Sequence, residues 1–264
     1  MSKYLFMLVA VAGLLSCTAT KGTYEDGVYF AQDREYASSG WKYNVTVVVE
    51  DGQIEEVSWN GSNVKSGVDK KTLSESGQYP MQSKGGAMAP WYVQAKAVED
   101  FFIETQNLEA ITLTDDAGHT DAISGATIKV GDFIRLVEIA LEKGPVGYGP
   151  YRDGYYQAQE EAFDAKNGLK GTMGVTITSG YIVSVDWDGV KEDGSTKEQI
   201  SIDGGYPMVE NGGAMAPWHE QAAALEAYVI SSQTATQADA VSGATISYDP
   251  FYVLLDQALS GATK

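Results

Sequence analysis

Cysteine occurs once and histidine twice in the 264 residues of this chain. That scarcity excludes an intrachain disulfide and most zinc, iron–sulfur and haem centres, which need clusters of those ligands. No metal site is expected. Basic residues are also few. Eighteen Lys and Arg stand against 36 Asp and Glu, for a net charge of -18. A surface this acidic repels phosphate backbones, so nucleic acid is not an expected partner. Catalytic signatures are missing too: there is no Walker loop, no G-x-G-x-x-G after a strand, and no repeated histidine beside a nucleophile. The carboxylates are scattered, as on a solvated acidic face.

The position of the one cysteine is informative. The chain opens MSKYLFMLVAVAGLLSCTAT. Lys3 is a minimal basic start, and Tyr4 to Leu15 is an apolar run too short to span a bilayer as a helix. This is the layout of a secretory signal. The end, LLSC, resembles a bacterial lipobox, which implies that residues 1–16 are a lipoprotein signal peptide. Cys17 is then lipidated as the first mature residue, and residues 17–22 form a polar tether. The plainer alternative is an ordinary buried cysteine. No later stretch is long and apolar enough to cross a membrane, so the expectation is a body anchored by lipid on the extracytoplasmic side of the cell envelope.

The rest of the chain is written twice. YEDGVYFAQ at Tyr24 returns as YRDGYYQAQ at Tyr151, YPM at Tyr79 returns at Tyr206, and GGAMAPW at Gly85 returns at Gly212; each pair is 127 residues apart. A later motif, DAISGAT ending at Thr127 and DAVSGAT ending at Thr245, is offset by 118, so the second copy lacks nine residues before it. A repeat of this size reads as two domains, 23–144 and 151–264, joined by the Gly- and Pro-rich stretch from Lys143 to Pro150.

Both copies share a coarse pattern. Val45, Val47 and Val49 alternate along Tyr43 to Glu50. Asp51-Gly52 is a hairpin turn, and Ile54 to Trp59 resumes the strand. Gly174 to Thr178, the turn Ser179-Gly180 and Ile182 to Trp187 repeat this. Pro90 suits a helix start, and Trp91 to Gln106 has helical spacing. Ala110 to Thr114 predicts a further strand in the first copy only. Phe133, Ile134, Val137 and Leu141 predict a helix after the first SGAT, as do Tyr252, Leu255 and Leu259 after the second. The fold class is α+β: two tandem homologous domains, each an antiparallel sheet with packed helices.

The repeated SGAT has a structural reading, in which Ser124 and Ser242 cap helices. It also has a chemical one. Gly125 and Gly243 allow close backbone approach, Ala126 and Ala244 leave space, and Thr127 and Thr245 place a hydroxyl at the mouth of a helix. Free amides and the helix dipole there favour a phosphate.

Asp-x-x-Ser-Gly-Ala-Thr resembles the attachment motif of the covalent FMN-binding domain. That family includes flavin subunits of sodium-pumping NADH:quinone reductases and of Rnf complexes, and lipoproteins of extracellular electron transfer. The resemblance covers both repeats. It implies two FMN groups, each joined by a phosphoester to the motif's final threonine, Thr127 and Thr245. A separate flavin transferase using FAD and magnesium makes the bond. Asp121 and Asp239 match the leading acid.

A third SGAT, Ser260 to Thr263, closes the chain, but its upstream acid, Asp256, lies seven residues before the Thr rather than six, and no helix can follow. It reads as a helix end. In GGAMAPW, Met88, Trp91, Met215 and Trp218 are either core residues or groups bordering a flavin ring. His119 and His219 stand at unmatched places and read as surface or packing residues.

The expected function is that of an electron carrier rather than an enzyme, since a flavin supplies its own chemistry. The donor would be a membrane quinone or NADH dehydrogenase, and the recipient an extracytoplasmic electron acceptor. The alternative is a non-redox lipoprotein that binds a ligand or partner through the same pockets.

Overall fold

The computed structural model describes residues 24–264; the signal segment, Cys17 and the tether lie outside the described residues. The alternating valines form the middle strand of a three-stranded antiparallel sheet: β1 (Gly27–Gln32), β2 (Trp41–Glu50) and β3 (Gln53–Asn63), in that order. The second half repeats it with β4 (Gly154–Gln159), β5 (Lys170–Thr178) and β6 (Tyr181–Val190). Both hairpins turn as their residues dictate. Asp51 and Gly52 have φ of 51° and 73°, Ser179 and Gly180 of 52° and 79°. Two successive left-handed residues match the twist of the flanking strands.

Between the strands and the long helices stand the short α1 (Lys70–Glu75) and, in the second half, α4 (Lys197–Ile202) and α5 (Met208–Gly212). The long helices are α2 (Trp91–Thr105) and α3 (Gly131–Lys143), and their counterparts α6 (Trp218–Ser232) and α7 (Asp249–Ser260). Among the described residues, no helix is long and apolar enough to cross a membrane. Trp91, Ala95, Val98 and Phe102 line one face of α2 and pack with Phe133, Leu136 and Val137 of α3 on Val45, Val47, Ile54 and Trp59 of the sheet. The second half builds its own core in the same way.

One expected element is absent. Ala110 to Thr114 is not a strand; it follows a single 3-10 turn, Leu108–Ala110, and makes only a bridge from Leu113 to Thr120. Ile111 is buried while Leu113 is exposed. In a strand these two would share a face, so the apolar alternation there has only one position to bury.

Each sheet covers its apolar face with helices and its other face with the other sheet. Lys42, Asn44, Thr46 and Ser62 are buried, as are Thr176, Thr178 and Ser184. Several of their polar atoms bond across the seam, while Asn44 Nδ2 has no partner. Thr178 donates to Asn44 Oδ1 at 3.0 Å, Ser62 to the carbonyl of Val183 at 3.1 Å, Ser184 to that of Asn63 at 2.7 Å and Thr176 to that of Gly67 at 2.7 Å. Phe30 stacks on Tyr181 with centroids 4.2 Å apart. The layers therefore run helices, sheet, sheet, helices. The link from Lys143 to Pro150 is tied to both sheets, because Val146 N–H donates to Val28 and Gly149 N–H to Ser179. The third SGAT is a helix end, as expected: α7 stops at Ser260, and Thr263 pairs with Tyr151.

The halves differ in one buried charge. Glu99 accepts from Trp59 N–H at 2.6 Å and from Lys71 Nζ at 2.7 Å. Its counterpart Glu226 accepts from Trp187 N–H at 2.8 Å. The place of Lys71, however, is taken by Glu198. Burial, reinforced by Asp186, pushes the Glu226 carboxyl up to about 8. The folded state thus holds a proton that the unfolded chain releases near the ordinary value of 4.5. The stability this supplies is complete below that value and is lost as pH rises through about 8. Gln at this position keeps an acceptor for Trp187 without the charge. The melting temperature of Glu226→Gln should therefore gain on the parent protein steadily from pH 5 to about 8 and level off above it; a constant difference across that range would refute the buried-proton account.

Candidate functional site

The two SGAT turns are held by a residue type the sequence reading passed over. Gln94, in the first turn of α2, is 1% exposed, and so is Gln221 in α6. Gln94 Oε1 accepts from Thr127 N–H at 2.7 Å and from Thr127 Oγ1 at 3.0 Å; its Nε2 donates to the carbonyl of Ala89 at 2.9 Å. Gln221 Oε1 makes the same two bonds to Thr245 at 2.7 and 3.0 Å, a third to Ile246 N–H at 3.1 Å, and its Nε2 donates to Ala216 at 2.7 Å. One amide thus joins GGAMAPW to SGAT in each half. The signal was present in the sequence: Gln94 and Gln221 stand at the 127-residue offset of the other repeated motifs.

This geometry corrects four expectations. α3 begins four residues after Thr127, and α7 four after Thr245, with Val130 and Tyr248 as the residues preceding them. Ser124 and Ser242 are exposed turn residues, not helix caps. The threonines accordingly do not stand at a helix mouth, and their amides are not free for a phosphate, since the glutamines hold them. Gly125 and Gly243 have φ of 84° and 86°, while the nearest atom to a Cβ at Gly243 would be 3.5 Å away and none lies within 4 Å at Gly125. Left-handed backbone, not close approach, is what requires glycine there. Ala126 and Ala244 do not leave space but are buried in the two cores. Trp91 and Trp218 are core residues as well, 2% and 3% exposed.

The remaining expected residues lie at the surface. Thr127, Thr245, Asp121 and Asp239 are exposed. Met88 and Met215 are 92% and 89% exposed, on the glycine loops before α2 and α6. His119 pairs with Asp115 and His219 with Ser201, away from any shared site.

Chemically, each turn presents, at an exposed residue, one hydroxyl whose proton is committed to a buried amide. A neutral amide orients an oxygen but is no base, so nothing here makes threonine self-reactive. A lysine lies against the buried tryptophan that opens the long helix in each half. Lys70 lies against Trp91, with Nζ 5.0 Å from the ring centre, and Lys197 against Trp218 at 4.3 Å. Burial pushes the Lys70 ammonium down to about 7 and lowers that of Lys197 as well. In the second half a cavity of about 360 Å³ opens beside Lys197 and Trp218 and reaches Ile246, next to Thr245. A second concavity of about 560 Å³ shares Glu160 and Pro250 with it and is lined by Glu161 and Asp249, which disfavour an anionic group.

No protein-family profile matches the chain, and no curated protein matches it. Two solved structures are similar to part of it. A protein from Clostridium thermocellum, solved by solution NMR, is 47% identical over 45% of this chain and 91% of its own length, with a TM-score of 0.37. A Clostridium perfringens protein, solved by crystallography, is 24% identical over 46% of this chain and 89% of its own, also with a TM-score of 0.37.

The glutamine clamps make a prediction independent of any ligand. Gln94→Met or Gln221→Met leaves the threonine amide and an alanine carbonyl without their partner, a loss of about 1–3 kcal/mol. Hydrogen exchange of the Thr127 or Thr245 amide should accelerate in the matching variant only; unchanged protection would show that the clamp is not formed.

Proposed function

We propose that this protein is a lipid-anchored, extracytoplasmic electron-transfer flavoprotein carrying two FMN groups, each esterified to a threonine, Thr127 and Thr245. The observation that carries the reading is the duplicated clamp. The residues that the motif resemblance marks for attachment stand at exposed positions with hydroxyls oriented by a buried glutamine, at matching distances in both halves. Surface exposure suits modification by a second protein, here a flavin transferase using FAD and magnesium.

In that transfer threonine Oγ forms a bond to the flavin-side phosphorus of FAD. The bond from that phosphorus to the AMP oxygen breaks, and AMP leaves with the electron pair. The hydroxyl proton passes to a base of the transferase, because Gln94 and Gln221 cannot take it. Bound FMN supplies redox chemistry that no side chain of this protein offers. The chain's own part is attachment, positioning and charge. Its donor would be a membrane quinone or NADH dehydrogenase, and its acceptor an extracytoplasmic oxidant. With a surface of this sign, a cationic or neutral acceptor is favoured, at a rate that falls as salt rises.

Co-expression with a flavin transferase should give a protein that stays yellow after denaturation and whose intact mass carries two FMN adducts. Thr127→Val and Thr245→Val should each remove one, and the double variant both; valine keeps the shape without the hydroxyl. A colourless protein, or a double variant still bearing flavin, would overturn the assignment. Cys17→Ser should release the protein from the membrane fraction; retention of the variant there would refute the lipid anchor.

A further inference from the structure

The two halves diverge around the lysines that open α1 and α4. In the first half four rings enclose Lys70. Its Nζ lies 5.1 Å from the ring centre of Trp41, 4.5 Å from Tyr43, 5.0 Å from Tyr79 and 5.0 Å from Trp91. It also donates to the Tyr43 hydroxyl at 2.6 Å. Two of these rings recur in the second half: Tyr206 and Trp218 lie 4.9 and 4.3 Å from Lys197 Nζ. The other two do not. Strand register pairs Val45 with Trp59 and Met173 with Trp187. Counting back from Val45 and Met173, Trp41 then corresponds to Leu169 and Tyr43 to Gly171. The cavity of about 360 Å³ lies where those rings are missing, bounded by Leu169, Gly171, Trp187, Lys197, Tyr206 and Trp218. Its volume is within the range of about 300–1,000 Å³ usual for small-molecule sites.

We propose that this cavity takes a planar aromatic ring, the ring system of the group carried on Thr245. In the first half, Trp41 and Tyr43 already fill the corresponding place, so the ring carried on Thr127 stays at the surface. This rests on the flavin reading above. The first half shows what such an enclosure holds, namely flat rings packed around an ammonium. The second half supplies the lysine and two of the rings and leaves room for the remainder. The acids around the cavity are engaged rather than free: Asp188 accepts from the N–H groups of Gly189 and Glu198 at 2.7 and 2.9 Å, and Glu160 from that of Gly171 at 2.7 Å. Ile246 also lines the cavity, so a group tethered at Thr245 hangs one residue from the opening.

The test uses the full chain co-expressed with a flavin transferase, as Thr127→Val and Thr245→Val proteins that each keep one threonine. Intact mass counts the flavin, and iodide quenching of flavin fluorescence reads its exposure. Flavin on Thr245 should be dim, through contact with Tyr206 and Trp218, and several-fold less accessible to iodide than flavin on Thr127. Leu169→Trp, added to the Thr127→Val protein, should restore brightness and iodide access with the single flavin adduct retained in the intact mass. Flavin on both threonines with equal access would overturn this inference and leave the flavin reading standing; absence of flavin from both would overturn the two together. Should Leu169→Trp fail to fold, the comparison of the two single-threonine proteins decides alone.

Discussion

The placement of everything at the site depends on how α2 and α6 are pinned. Each is tied at three levels by side chains of its own. At its end Gln106 turns left-handed and lends its amide to the hairpin, giving and taking bonds of 2.8 Å with Ile54 as a strand neighbour would. Gln233 does the same with Ile182. In the middle Glu99 and Glu226 accept from the N–H groups of Trp59 and Trp187. At its start Gln94 and Gln221 hold the SGAT turns. The helix therefore transmits the position of the sheet to the threonine hydroxyl through bonds whose buried partners are costly to leave unmade. Helix propensity contributes little to this, since a buried polar side chain in a helix earns its place by the bond it makes.

The second constraint is the seam between the sheets. A sheet with one face on helices commonly turns the other to water, and the hydroxyl-rich faces here would suit that. They meet each other instead, through bonds that net about 0.5–1.5 kcal/mol each and a stacked pair at Phe30 and Tyr181. The linker follows the same logic, since its amides bond to β1 and to the β5–β6 turn rather than to solvent. The two SGAT turns are thus parts of one layered body. Their separation is fixed by packing and not by the reach of the linker.

Much of this was legible in the sequence, and what was not has identifiable causes. Hairpin turns at Asp51-Gly52 and Ser179-Gly180, the valine alternation and the helices after Pro90 and after each SGAT come from local chemistry, which the sequence spells out. β1 and β4 were visible only as repeated words, because their alternation is broken by tyrosine and glutamine. The strand expected over Ala110 to Thr114 failed because β-branched residues promise a strand only where both neighbours and a buried face exist. At the site, local reasoning drew the wrong environment around Thr127 and Thr245. A serine or threonine before a helix reads as a cap, whereas here three residues intervene and a glutamine more than twenty positions away in sequence takes the amide. Long-range polar pairs leave no periodicity. The one trace they leave is coincidence between the repeats, and Gln94, Gln106 and Lys70 each have their twin at an offset of 127.

Comparison of the copies separates what the fold needs from what it leaves free. The glutamine clamps, the buried tryptophans and the lysines beside them are kept. Other positions are not: around the lysine Trp41 and Tyr43 give way to Leu169 and Gly171, Lys71 gives way to Glu198, and nine residues before the second SGAT are gone. Tyr248, standing where the first half has Val130, braces the second turn by accepting from Val241 N–H at 3.0 Å and donating to Ala244 at 2.7 Å. A duplicated pair under no demand to differ would drift at random, yet here the losses of ring and cation fall around one lysine and one helix, beside the threonine. On the proposed function, two identical tethers then hold the same cofactor in unlike surroundings, one facing solvent and one against Lys197. A protein tunes a flavin through the charge and solvent around it, so on that proposal attachment would be the shared property of the halves and potential the property in which they are free to differ.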